Sequence, residues 1–167
     1  MIPTSIQSLL NKQIEMEAVS SNLYLAMASW CDVNGLPGCA RFFYKQTAEE
    51  REHMMKIFHY VNESGGQAQA PALPQPEREF ESLHKIVEMA LNHEKEVTRS
   101  IHAIVEESLT SKDYTTHTFL QWFLPEQLEE ENQFNRIMDK IKLLGDDNRS
   151  LYLLDRELGA MAEQAAS

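Results

Sequence analysis

CARFFYKQTAEEREHMMKIFHY, residues 39–60, decides the fold. Cys39, Phe43, Gln46, Glu50, His53, Ile57 and Tyr60 recur in steps of three and four, the spacing that places side chains on one face of an α-helix. Most of that face is apolar, so it belongs in a core. Its middle carries Glu50 and His53, and a carboxylate in a core is costly unless something neutralises it.

Three more stripes repeat the pattern. Leu10, Gln13, Glu17, Ser20, Tyr24 and Met27 precede this stretch. Leu83, Val87, Ala90, Glu94, Val97, Ile101 and Ile104 follow it, and then Leu120, Phe123, Gln127, Glu130, Phe134, Ile137 and Ile141. Each stripe has one glutamate near the middle of its helix. Midpoints of antiparallel helices meet, so Glu17, Glu50, Glu94 and Glu130 are expected at one height in a shared core. Two divalent metal ions would cancel their four charges, with His53 as a nitrogen ligand.

Glycines and prolines cluster between the stripes and set the element bounds. The first helix is expected over about 4–34, opening on a capping box at Thr4 and Gln7. The second is expected over 38–65, with Pro37 suited to a first turn and Gly65-Gly66 as the stop. The third is expected over 80–108. The fourth should span 114–144, with Asp113 as its N-cap. A short fifth helix is expected over 148–162, with Leu151, Leu154, Leu158 and Met161 as its apolar stripe. Pro125 removes one N–H donor inside the fourth helix and should loosen the turn before Glu126 and Gln127.

Loop lengths give the topology. Short links make the first and second helices, and the third and fourth, antiparallel hairpins. A helix of this size is about 40 Å long at ~1.5 Å per residue. The segment from Gln67 to Glu79 holds Pro71, Pro74 and Pro76 and spans about 45 Å at ~3.3 Å per residue. It can run the length of the bundle, making the second and third helices parallel. The expectation is an all-α single domain, residues 1–167: a four-helix bundle with one long crossover plus a short C-terminal helix. An offset of 77 residues carries Glu17 to Glu94, Glu49 to Glu126, Glu50 to Gln127 and His53 to Glu130, as two similar hairpins about a pseudo-two-fold would.

Bulk properties narrow the partners. The 167 residues, 43% hydrophobic, suit one soluble domain. A net charge of −11 disfavours nucleic acid and favours attraction of cations. Cys31 and Cys39 lack zinc-finger spacing and read as two buried thiols near a helix junction, which fits a reducing cytoplasm. The first residues, MIPTSIQSLLNKQ, do not form a signal peptide, and no apolar run approaches a membrane span.

A carboxylate and imidazole mixture suits iron, manganese or zinc. One metal is assigned to Glu17, Glu50 and His53. A second is assigned to Glu50, Glu94 and Glu130, with Gln127 at its edge and Glu50 bridging. The counterpart of Glu50-x-x-His53 is Gln127-x-x-Glu130, so the sites should be unequal. Few strong ligands and open positions suit access by O₂ or peroxide. Glu49, Glu126 and Glu129 lie beside the stripes, and a solvated face explains them as well as a metal does. Tyr24 could donate an electron or a hydrogen bond to the site, or simply pack. Trp122 reads as packing. His59, His84, His93, His102 and His117 fit no motif.

The chain resembles the prokaryotic non-haem ferritins over essentially its whole length. The resemblance rests on IEME (14–17), SNLY (21–24), AEEREHM (48–54), NHE (92–94) and FLQWFLPEQLEEE (119–131). It implies a ferritin-like fold and a shell of 24 subunits. It also implies a ferroxidase that oxidises Fe(II) with O₂ or H₂O₂ at a di-iron centre and stores ferric mineral. Glu17, Glu50, His53, Glu94, Gln127 and Glu130 match the family's two iron sites. Glu49, Glu126, Glu129 and Glu130 match a third, and Tyr24 matches the tyrosine beside the centre. The fifth helix matches the one around the four-fold axes. Haem-binding relatives carry a second His where this chain has Glu130, and a haem-ligating Met where it has Arg51, so no haem is expected. Pro125 departs from the family pattern at the third site. A di-iron peroxidase or oxygenase of the same bundle type is the alternative function.

Overall fold

The computed structural model describes residues 2–164, and among them there are helices and no strands. The elements are α1 (Thr4–Val33), α2 (Pro37–Glu63), α3 (Leu83–Thr110), α4 (Tyr114–Leu120), α5 (Phe123–Leu144) and α6 (Asn148–Gln164).

Helix ends follow local chemistry and correct several expected bounds. The capping box at Thr4 does not form: Pro3 holds the N-cap position, Thr4 is already helical, and the Gln7 N–H reaches the Pro3 carbonyl at 2.9 Å. The proline ring fixes φ, here −58° with an extended ψ, and so marks the last non-helical residue. Pro37 opens α2 as expected. That helix stops at Glu63, where Gly65 (φ +78°) lets its own N–H bond the Asn62 carbonyl and the Gly66 N–H bond that of Val61. α3 starts at Leu83 rather than 80 because the Ser82 hydroxyl caps it, accepting from the Lys85 N–H at 3.1 Å. Asp113 caps α4 as expected, accepting from the Thr116 N–H.

The expected fourth helix is two helices, broken at Gln121 and Trp122. Pro125 has no N–H to offer the Gln121 carbonyl four residues back. Both intervening residues keep right-handed helical dihedrals, so the direction of the chain is nearly conserved while its bonding is interrupted.

The crossover, residues 64–82, runs along α1 from end to end. Asn11 clamps its start, donating to the Gln67 carbonyl and accepting from the Gln69 N–H. Phe80, near its end, meets Trp30 edge-on at 6.3 Å. α3 therefore begins where α1 ends and α2 begins, which makes α2 and α3 parallel. α6 lies on α2 at two glycines: Gly38 backs onto the Asp155 carbonyl, and Gly159 onto the Gly38 Cα.

Two apolar clusters fill the bundle. One joins Tyr24 and Cys31 to Phe42, Phe43, Val87 and Phe134. The other joins Ile6 and Leu10 to Ile57, Ile101 and Phe123. The acidic middle of every stripe falls between them.

Candidate metal centre

Glu17, Glu50, Glu94 and Glu130 come from α1, α2, α3 and α5 and are buried at the same level. With His53 and Gln127, none is more than 4% exposed. The helical register that buries the apolar residues above and below leaves these side chains no route to solvent.

Glu17, Glu50 and His53 each offer a ligand atom, all within 4.8 Å of one another. His53 Nδ1 lies 3.7 Å from Glu50 Oε2, too far for a hydrogen bond. Glu17 Oε2, both oxygens of Glu50 and His53 Nδ1 are buried with no hydrogen-bond partner. Buried polar atoms are normally satisfied, and three residues with unpartnered atoms this close together suit a cation. These residues fit a divalent metal.

The other half of the site is held differently. The Tyr24 hydroxyl donates to Glu94 Oε1, and Gln127 Nε2 donates to Glu94 Oε2 at 3.1 Å. Gln127, expected at the edge of a metal, thus faces Glu94 as a donor. Glu130 accepts a long bond from Gln133 at 3.4 Å. With both Glu94 oxygens engaged, Glu50, Glu94 and Glu130 do not converge as closely as the first group; among the described residues that group stands alone.

Electrostatics follow burial. Loss of solvent, then the charges of Glu94 and Glu17, holds the Glu50 carboxyl well above the usual carboxylate range. Burial likewise raises Glu130 to about 9, helped by Glu94, Glu49, Glu126 and Glu129. Burial raises Glu94 to about 7, against the hydrogen bonds from Tyr24 and Gln127. Burial, then Glu94, pushes the Tyr24 phenol up.

The outer acidic residues are less assembled. Glu49 is half-buried, and both oxygens are engaged: Gln46 Nε2 at 2.6 Å and Lys45 Nζ at 3.4 Å. Glu126 reaches His53 Nε2 at 3.6 Å. Glu129 is exposed, lining a surface groove with Pro125, Leu128 and Arg136, although its charge is felt at Glu130. Trp122, expected to pack, is 40% exposed. Its ring stands edge-on to His53 at 5.4 Å, under Lys56 Nζ at 4.1 Å.

Gln13, Gln46 and Lys45 were not foreseen as partners of the acidic residues. Gln13 and Gln46 sit on the core-facing stripes, and a polar residue there is the signal that could have found them. Lys45 lies off the stripe, but its i, i+4 spacing from Glu49 is the signal that could have found it. His93 is half-buried against Ser20 at 2.7 Å, and burial lowers its pKa. Cys31 and Cys39 are both buried as expected.

The Ferritin family model, described as a ferritin-like domain, matches residues 7–144. A probable bacterial non-heme ferritin-like protein of Haemophilus influenzae is 42% identical over 99% of this chain and 100% of its own. A bacterial non-heme ferritin of Campylobacter jejuni is 42% identical over 97% of both chains. The open-pore ferritin from the archaeon Archaeoglobus fulgidus superimposes with a TM-score of 0.92 at 40% identity, covering 95% of this chain and 98% of that one. With the family model matching residues 7–144 and relatives 42% identical over nearly the whole chain, this chain belongs to the ferritin family.

Proposed function

We propose that this chain is an iron-storing ferroxidase subunit, a single domain over residues 1–167 that assembles into a shell of 24 copies in the cytoplasm. Fe²⁺ is its substrate and cargo. The observation that carries the reading is the group of buried, unpartnered ligand atoms on Glu17, Glu50 and His53.

Glu17, Glu50 and His53 bind the first Fe²⁺. Glu50 has a second free oxygen and bridges to another ion held with Glu94 and Glu130. Two Fe²⁺ give up one electron each, so that O₂ with two protons is reduced to H₂O₂, or H₂O₂ with two protons to two waters. The carboxylates favour the more highly charged Fe³⁺ product, and the apolar clusters on both sides keep bulk water out. Tyr24 holds Glu94 in place through its hydroxyl. Gln127 holds the other Glu94 oxygen, and its own carbonyl oxygen would have to turn inward to serve as a ligand. Glu130, with Glu126, Glu129 and Glu49, forms the outer path by which Fe³⁺ leaves for storage. Metal at Glu49 must first displace Lys45. Iron is the expected metal, and with Glu130 and Arg51 in place of the His and Met that the resemblance implies for haem binding, no haem is expected.

Aerobic addition of Fe²⁺ to metal-free protein, followed by ferric absorbance, tests this. Wild type should oxidise Fe²⁺ faster than buffer and continue past two irons per subunit, and Glu50→Ala should lose the fast phase. A halt at two irons would point to a di-iron peroxidase or oxygenase. No acceleration over buffer would overturn the ferroxidase reading.

A further inference from the structure

Gln13 lies on α1 one turn before Glu17 and is fully buried. Its Nε2 donates to Glu17 Oε1 at 2.7 Å, while Glu17 Oε2 has no partner. The two carboxylate oxygens are thus differentiated: one is held by the protein and one is left for a ligand. Gln13 Oε1 is itself buried and unpartnered, so the residue is not there to satisfy its own polar atoms. An apolar side chain of the same length would fill the space without leaving that orphan, so packing does not explain the amide.

We propose that Gln13 is a positioning residue that restricts Glu17 to one-oxygen ligation, and so sets the coordination number of the metal shared with Glu50 and His53. The assignment rests on the proposed metal centre. Oε1 keeps a second lone pair, but a metal drawing on it would compete with the Gln13 N–H for that oxygen and turn the carboxylate, so that a fully buried N–H would lose much of its acceptor. That loss is unfavourable because a buried donor without a partner has given up water for nothing. Outer residues that orient ligands in this way commonly change metal affinity by about 10–100-fold when removed. The same arrangement recurs beside the centre: Gln46, also buried, donates to Glu49, and Gln127 donates to Glu94. Gln13 differs from both in that the second oxygen of its partner is free.

The test uses Co²⁺ with the full-length protein, at less than one ion per subunit. Gln13→Met keeps length and volume and removes only the amide. Loss of the lock should let Glu17 bind through both oxygens, raising the coordination number and lowering the visible absorbance per bound Co²⁺, with affinity changed about tenfold or more. Gln13→Asn, too short to reach Glu17, should behave as Gln13→Met does. Identical spectra and affinity for wild type and Gln13→Met would overturn the proposal while leaving the centre intact. If wild type takes up no Co²⁺, the reading of the centre falls, and this assignment with it.

Discussion

Glu130 keeps its proton to about pH 9 because burial, then the charge of Glu94, opposes ionisation. An unfolded glutamate titrates near 4.3, so the folded value is raised. The stabilisation from its neutral form is complete below about pH 4.3 and is lost as pH rises through about 9. A metal needs the carboxylate, and binding must therefore expel the proton. Zn²⁺ added to metal-free protein near pH 7 should release protons from Glu130 and Glu50, and from a share of Glu94, whose value is about 7. Release should shrink as the starting pH approaches 9, and Glu130→Gln should remove part of it. An indicator dye in weakly buffered solution measures this. Release that does not vary with pH would mean the carboxyls are already ionised in the metal-free fold.

Among the helices, the contact of α2 with α6 depends most sharply on single residues. A Cβ built on Gly38 would lie 1.9 Å from the Asp155 carbonyl oxygen, and helix backbone cannot yield as a flexible side chain can. Gly38→Ala should therefore push α6 off α2, breaking the bond from the Cys39 N–H to Asp155 Oδ1 (2.8 Å). The expected cost is about 1–3 kcal/mol, the usual range for overpacking. A lower melting temperature, with proteolysis beginning within α6, would show it; an unchanged melting temperature would mean the helices separate without strain. Neither glycine was legible as a contact, because their partners are distant in the chain. Helix periodicity was legible, since four stripes of the same period leave few alternatives. The break at Gln121 was legible only as a loosened turn at Pro125, because sequence shows a missing donor but not how the backbone absorbs it. The centre divides in the same way. Spacing places Glu17, Glu50, His53, Glu94 and Glu130 in the core, but a face is not an atom. Which oxygen Gln13 holds, and which end Gln127 turns towards Glu94, depend on side-chain torsions that periodicity does not encode.

Across the whole molecule, the acidic belt separates the two apolar clusters and interrupts what would otherwise be one continuous core. Glu50 illustrates the consequence, being 1% exposed with neither oxygen hydrogen-bonded. A buried polar group without a partner destabilises a fold by about 1–3 kcal/mol. Glu50→Met, of similar length, should remove that penalty, so the metal-free variant should melt above metal-free wild type by a few degrees, about 2–4 °C per kcal/mol for a chain of this size. A metal reverses the order. An ion present at about 100 times its dissociation constant stabilises the state it binds by about 2.7 kcal/mol, and through Glu17, Glu50 and His53 it ties α1 to α2 as it does so. Wild type should gain this with Zn²⁺ and Glu50→Met should gain little, so their melting temperatures cross as Zn²⁺ is added at fixed protein concentration. A variant no more stable than wild type without metal would show that Glu50 costs the fold nothing. A variant that gains as much from Zn²⁺ as wild type would show that Glu50 is not a ligand. If both effects appear, the destabilising carboxyl and the metal-binding carboxylate are the same group, and the bundle gives up stability in its empty state to hold an open site at its centre.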